Sequence, residues 1–232
     1  MLTCLANTAE IKQLLRSGVK VDAKQPQAIS FARTKKLVSQ AIDGREPGEV
    51  MRMHRSKSHT GYDRYHIGLA YTDAPTTIEI IQCRSVVSLQ ISFPRKADIQ
   101  PMVLPLKLML RSWAKSLVRL EIGVPNTAFY ADILSDCREE LAFLPNLKFL
   151  TTRRVIFRDD DVSAVCKNTN LELLSISGCR DLTDKALRTI KKLDLLKSVG
   201  ISDSKITETQ CFRFKKARPN TGLSLDGYPY EL

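Results

Sequence analysis

The sequence predicts an α/β fold in which strand, bend and helix recur as a stacked unit. The first observation is a change of rhythm inside LELLSISGCRDLTDKALRTI, residues 171–190. Leu171, Leu174 and Ile176 keep the close spacing of a short strand, and Leu182, Ala186, Leu187 and Ile190 keep the spacing of a helix. A strand puts alternate side chains on one face and a helix brings residues three and four apart together, so both halves bury their apolar positions in one core. The second observation is recurrence. Leu89, Leu120, Leu150, Leu174, Val199 and Leu223 mark similar strand segments at separations of 31, 30, 24, 25 and 24 residues. One unit leaves most of its apolar surface in water, and only neighbours of its own kind cover it. The third is helix-start chemistry. Thr183-Asp184 and Thr207-Glu208 each offer a hydroxyl cap followed by an acid near the positive end of a helix dipole, and Thr207 with Gln210 has capping-box spacing.

Taken in order along the chain, residues 1–45 read as a helical N-terminal cap. Ile11, Leu14 and Leu15 form one apolar stripe ending at Ser17-Gly18, and Phe31, Leu37, Val38, Ala41 and Ile42 form another ending at Gly44. Residues 46–63 read as a basic loop or linker that begins at the turn-rich REPGE. The repeat domain is expected over 64–232, regular from about 117 and clearest over 147–226. An earlier copy is marked by Ile67 and Leu69, and GLSLDG ends the series.

The pattern L-x-x-L-x-I followed by Cys179 and DLTDKAL resembles the cysteine-containing subclass of leucine-rich repeats, also written as "ITD"-type repeats, and SKITETQ resembles the shorter variant without cysteine. The resemblance implies a solenoid with a parallel β-sheet on the concave side and helices on the convex side. It also implies a non-catalytic scaffold that binds a protein partner on the concave face. A narrower implication is a substrate-receptor-like adaptor of a ubiquitin ligase, which carries an N-terminal F-box; residues 1–60 hold no L-P-x-E helix pattern.

In such strands the leucines point inward and the intervening residues face outward. Stacking the units aligns Arg119, Phe149, Leu173 and Ser198 in one column, Glu121, Thr151, Ser175 and Gly200 in a second, and Gly123, Arg153, Ser177 and Ser202 in a third, with Arg154 and Asp203 beside it. Phe149 and Leu173 next to Arg153 and Arg154 are expected to form an apolar centre with a basic rim, the kind of anchor that protein interfaces use.

The net charge of +11 opens an alternative. MRMHRSKSHTGYDRYH, residues 51–66, holds Arg52, Arg55, Lys57 and Arg64, two tyrosines and all three histidines. Basic residues interleaved with aromatics neutralise phosphates and stack on bases, so nucleic-acid or ribonucleoprotein binding through this segment competes with the scaffold reading. The same composition describes a solvated loop.

No metal or cofactor site is expected. His54, His59 and His66 match neither a helical ligand pair nor a zinc-finger spacing, and Asp159, Asp160 and Asp161 lie where acids are ordinary, in a first helical turn. The six cysteines, Cys4, Cys83, Cys137, Cys166, Cys179 and Cys211, contain no C-x-x-C and read as buried reduced thiols. A phosphate-binding glycine loop, a nucleophile elbow and an HExxH helix are all missing, so the chain is read as no enzyme. Its start lacks a basic, then apolar, leader and no run is long enough to span a bilayer. The expectation is an intracellular, cytoplasmic monomer with no membrane partner, nuclear and mitochondrial locations remaining open.

Overall fold

The computed structural model describes residues 52–57, 63–69, 86–92, 100–124 and 130–230, and the expected helical cap at 1–45 lies outside them. Among the described residues nine strands form one sheet in sequence order: β1 (Arg52–Lys57), β2 (Asp63–Leu69), β3 (Val86–Ser92), β4 (Arg119–Gly123), β5 (Phe149–Arg153), β6 (Leu173–Ser177), β7 (Ser198–Ser202), β8 (Gly222–Leu225) and β9 (Tyr228–Pro229). Pairing is parallel from β2 to β8 and antiparallel at the two ends. Helices α1 (Gln100–Trp113), α2 (Arg138–Leu141), α3 (Asp159–Val165), α4 (Asp184–Ile190) and α5 (Glu208–Ala217) alternate with strands β3 to β8. This is an α/β solenoid-like fold.

The strand markers are in register. Leu89 pairs with Leu120, Leu120 with Leu150, Leu150 with Leu174, Leu174 with Val199 and Val199 with Leu223. Ile67 pairs with Leu89, so the earlier copy stacks as well. All the markers from Leu89 to Leu223 are buried, and with Ile122, Ile176 and Ile201 they meet Leu182, Leu187, Ile190 and Phe214 in one continuous core. A single face per strand is thereby removed from water, which is the main favourable term of the fold.

Two segments differ from the sequence reading. Residues 52–57, expected in a loop, form β1, whose backbone pairs antiparallel with β2 from Arg52↔Gly68 to Lys57↔Asp63. RMHRSK holds no β-branched or alternating apolar residue, so its local signal is that of a polar loop, and pairing to the next strand decides its conformation. Residues 100–113, to which the repeat pattern assigns nothing, form α1. Leu106, Met109, Leu110 and Trp113 recur at helical spacing and are buried. Pro101 and Pro105 interrupt the local helix signal: Pro101 falls in the first turn, where a missing N–H costs least, whereas Pro105 lies in the second and removes the i+4 donor to the Pro101 carbonyl.

Neighbouring units are tied at their helix starts by a ladder of acids. Asp132 accepts two bonds from the Arg158 guanidinium at 2.7 and 3.0 Å. Asp159 accepts from the Thr183 backbone N–H at 3.1 Å and its hydroxyl at 2.6 Å, and Asp184 accepts from the Thr207 N–H at 2.8 Å and its hydroxyl at 2.9 Å. Arg158, Thr183 and Thr207 are the N-cap residues of α3, α4 and α5. Each acid therefore holds the cap of the following unit, a role beyond the dipole effect that the sequence suggests. Thr207 also accepts from Gln210 N–H at 3.3 Å, one half of the expected capping box.

At the far ends of β5 to β8 the chain turns away through a left-handed residue: Arg154 (φ 55°), Gly178 (φ 84°), Asp203 (φ 56°) and Asp226 (φ 50°). Glycine and aspartate suit that conformation, and arginine does not. At Gly178 a Cβ would also lie 2.5 Å from the Tyr130 ring, so glycine is required there twice over. Asp226-Gly227, both at positive φ, make the two-residue turn into β9, which covers the outer edge of β8.

One core position is mismatched. Thr152 occupies the inward site that Ile122 and Ile176 take in the adjacent strands, and its fully buried hydroxyl has no hydrogen-bond partner. Replacing it with the isosteric Val removes an unsatisfied polar group at constant volume. Thr152→Val is expected to raise stability by about 1–2 kcal/mol, seen as a higher urea midpoint with unchanged slope.

Candidate functional site

The face of the sheet opposite the helices carries the residues that alternate with the core leucines. Strand register places Arg119 beside Phe149, Phe149 beside Leu173 and Leu173 beside Ser198. The second column runs Gln90, Glu121, Thr151, Ser175, Gly200 and the third Ser92, Gly123, Arg153, Ser177, Ser202. All three expected columns are therefore aligned across the sheet, with Arg154 directly after β5.

The apolar centre is less open than expected. The Arg119 guanidinium lies over the Phe149 ring, 5.0 Å from its centroid, and also reaches Glu121 Oε1 at 3.5 Å. Phe149 and Leu173 are half-buried, whereas Arg119, Arg153 and Ser198 are exposed. A cation over an aromatic face contributes about 0.5–1 kcal/mol at such a site and holds the arginine in place.

Near the ends of β3 to β6 the face deepens into a cleft of about 550 Å³. Glu121, Thr151, Arg153, Arg154 and Ser177 line it, and Gln90, which the sequence reading leaves out, joins them. Its position in VVSLQIS, the same as that of Glu121 in the next strand, is the signal that identifies it. Gly123 makes room for the stem of Arg153: a Cβ there would lie 3.3 Å from the Arg153 Cβ. The cleft does not include Arg119, Phe149, Leu173, Ser175, Ser198 or Ser202, which extend away from it across the sheet. The cleft thus brings two arginines, whose forks suit carboxylate and phosphate oxygens, together with the Glu121 carboxylate and the hydroxyls of Thr151 and Ser177.

Arg52, Arg55 and Lys57 lie in β1 and Arg64 in β2, at the opposite end of the sheet from β9. His54 and His66 are register partners there, and His59 lies outside the described residues. Asp159, Asp160 and Asp161 point to separate partners: Thr183, Lys185 at 3.4 Å, and for the fully buried Asp161 the Arg158 N–H and the Arg138 guanidinium. Among the described residues no group of three metal-ligating side chains converges. Burial pushes the thiols of Cys137 and Cys166 up to about 12 and that of Cys211 to about 11, so they stay protonated at neutral pH. No described helix is long and apolar enough to cross a membrane.

No family model matches the chain, and no curated protein matches it. Among solved structures, internalin C2 of Listeria monocytogenes aligns at 17% identity over 69% of this chain and 69% of that chain, with a TM-score of 0.42.

Proposed function

We propose that this chain is a non-catalytic scaffold of leucine-rich-repeat type, in its cysteine-containing subclass, whose open sheet face docks a protein partner. The observation that carries the reading is the alignment of three side-chain columns over strands held in one parallel register, ending in a cleft flanked by Arg153 and Arg154. Such a surface presents apolar strip, basic rim and hydroxyls together, the composition from which interface anchors are made. Cys179, fully buried just after the Gly178 corner, supports the subclass, since a small apolar group is what that position takes. We place the scaffold inside the cell as a monomer.

The test is affinity capture from nuclease-treated native lysate with wild type and a Phe149→Ala, Arg153→Glu double variant whose fold is verified by circular dichroism. The expected outcome is a protein partner lost by about tenfold or more in the variant, the scale of a disrupted anchor. Recovery that needs intact nucleic acid and ignores the variant would instead assign binding to Arg52, Arg55, Lys57 and Arg64.

A further inference from the structure

Because β3 to β8 are parallel, the described turns from a helix into the next strand lie along one long edge of the stack and the described turns from a strand into a helix along the other. The two edges differ in charge. Segments 154–160, 178–184 and 203–208 on the strand-exit edge hold six acids and four basic residues. Segments 114–118, 142–148, 166–172, 191–197 and 215–221 on the strand-entrance edge hold nine lysines or arginines and two acids. Both of those acids are already engaged: Glu172 by Lys148 and Lys197 at 2.8 and 2.6 Å, and Asp194 by Arg218 at 3.6 Å. The two lysines hold the Glu172 carboxyl down at about 2. The acids thus answer only part of the positive charge.

What is left is ordered. Lys167, Lys192 and Lys216 each stand six residues ahead of the first residue of β6, β7 and β8, so they form one exposed column, and none has an ion pair among the described residues. Phe143, six residues ahead of β5, heads the same column and is 72% exposed. Leu195, 54% exposed, projects from the same edge beside Lys191 and Lys192. Lysine at a helix C-terminus answers the dipole, which explains a positive charge there. It does not explain a large aromatic and a leucine left in water within a row of unpaired lysines.

We propose that this edge adsorbs to the anionic face of a phospholipid bilayer. Lysines near such a surface are drawn by its negative potential, while exposed Phe and Leu side chains enter the headgroup boundary. A nucleic acid would use the lysines equally well but has no use for Leu195, which lacks the π-face that stacks on bases. The expectation of no membrane partner rests on the lack of a spanning segment, and adsorption needs none. The surface is separate from the open sheet face and stands or falls independently of the scaffold reading.

The test is co-sedimentation of the full chain, freed of nucleic acid, with vesicles of phosphatidylcholine alone and with phosphatidylserine added. Binding is expected only to the anionic vesicles and to fall steeply between about 0.1 M and about 0.5 M salt. A Lys167→Ala, Lys192→Ala, Lys216→Ala variant should lose about tenfold or more in affinity, Phe143→Ser should lose the part of binding that survives salt, and Phe149→Ala with Arg153→Glu should change nothing. The four substituted positions on the edge, Phe143, Lys167, Lys192 and Lys216, are exposed, and thermal melts check that the variants fold. Equal recovery by neutral vesicles, undiminished binding by the triple-lysine variant, or no loss of salt-resistant binding in Phe143→Ser would each overturn the proposal.

Discussion

Replacing Arg111 with Met is expected to destabilise the fold by about 3–5 kcal/mol, the cost of leaving a buried charge without its partner. Arg111, in the last turn of α1, donates to Glu140 Oε1 through Nε at 2.8 Å and through Nη2 at 2.6 Å. The Glu140 side chain is 1% exposed, and its other oxygen has no hydrogen-bond partner, so the arginine is the main compensation for that carboxylate's loss of water. Arg111 itself is 30% exposed and would solvate readily, which predicts an asymmetry: removing the arginine costs more than removing the glutamate. The double variant Arg111→Met, Glu140→Met should recover most of the loss, because an apolar pair of similar volume is an acceptable substitute for a buried ion pair. Urea denaturation of the two single variants and the double closes the cycle. A single-variant cost below about 1 kcal/mol would mean that water reaches Glu140 and that the pair is only a surface bridge.

This pair joins α1 to α2, and neither helix was legible in the repeat pattern. What the sequence does reveal is the strand markers, because each must be apolar and each falls at nearly the same interval, so burial and period report the same residues. The alignment of Arg119, Phe149 and Leu173 follows directly from those markers. The cleft was only partly legible: Arg153 and Arg154 are visible as a basic pair at the end of β5, but the left-handed turn at Arg154 and the space above Gly123 arise from the way adjacent strands end. Contacts between units are the least legible. Nothing in Thr183 or Asp159 taken alone says that they bond to each other, since their partnership exists only after the units stack. Strand β1 is hidden for the same reason, its conformation being imposed by β2 rather than by its own residues.

The asparagines show how far position in the stack governs energy. Three of them bond across units: Asn146 donates to the Lys115 carbonyl at 2.7 Å, Asn170 to the Pro145 carbonyl at 2.6 Å, and Asn168 to the Leu141 carbonyl at 2.6 Å. Asn168 differs in being buried and in closing a small network, since it also donates to the Val165 carbonyl at 3.0 Å and accepts from the Leu144 N–H at 2.9 Å. Asn168→Ala would strand the Leu141 carbonyl and the Leu144 N–H in the core, and each stranded group costs about 1–3 kcal/mol, so a loss of about 3 kcal/mol is expected. Asn146→Ala and Asn170→Ala remove bonds that are exposed, where water replaces the lost donor, and should each cost under about 1 kcal/mol. The network spans the turn between α2 and β5 and the turn between α3 and β6, so it fixes the spacing of two units whose strands carry Phe149, Arg153 and Leu173. Amide hydrogen exchange should accordingly show lost protection at Leu144 in the Asn168 variant. Equal costs for Asn168→Ala and Asn170→Ala would mean that burial does not set these energies and that the turns between units are held by the apolar core alone.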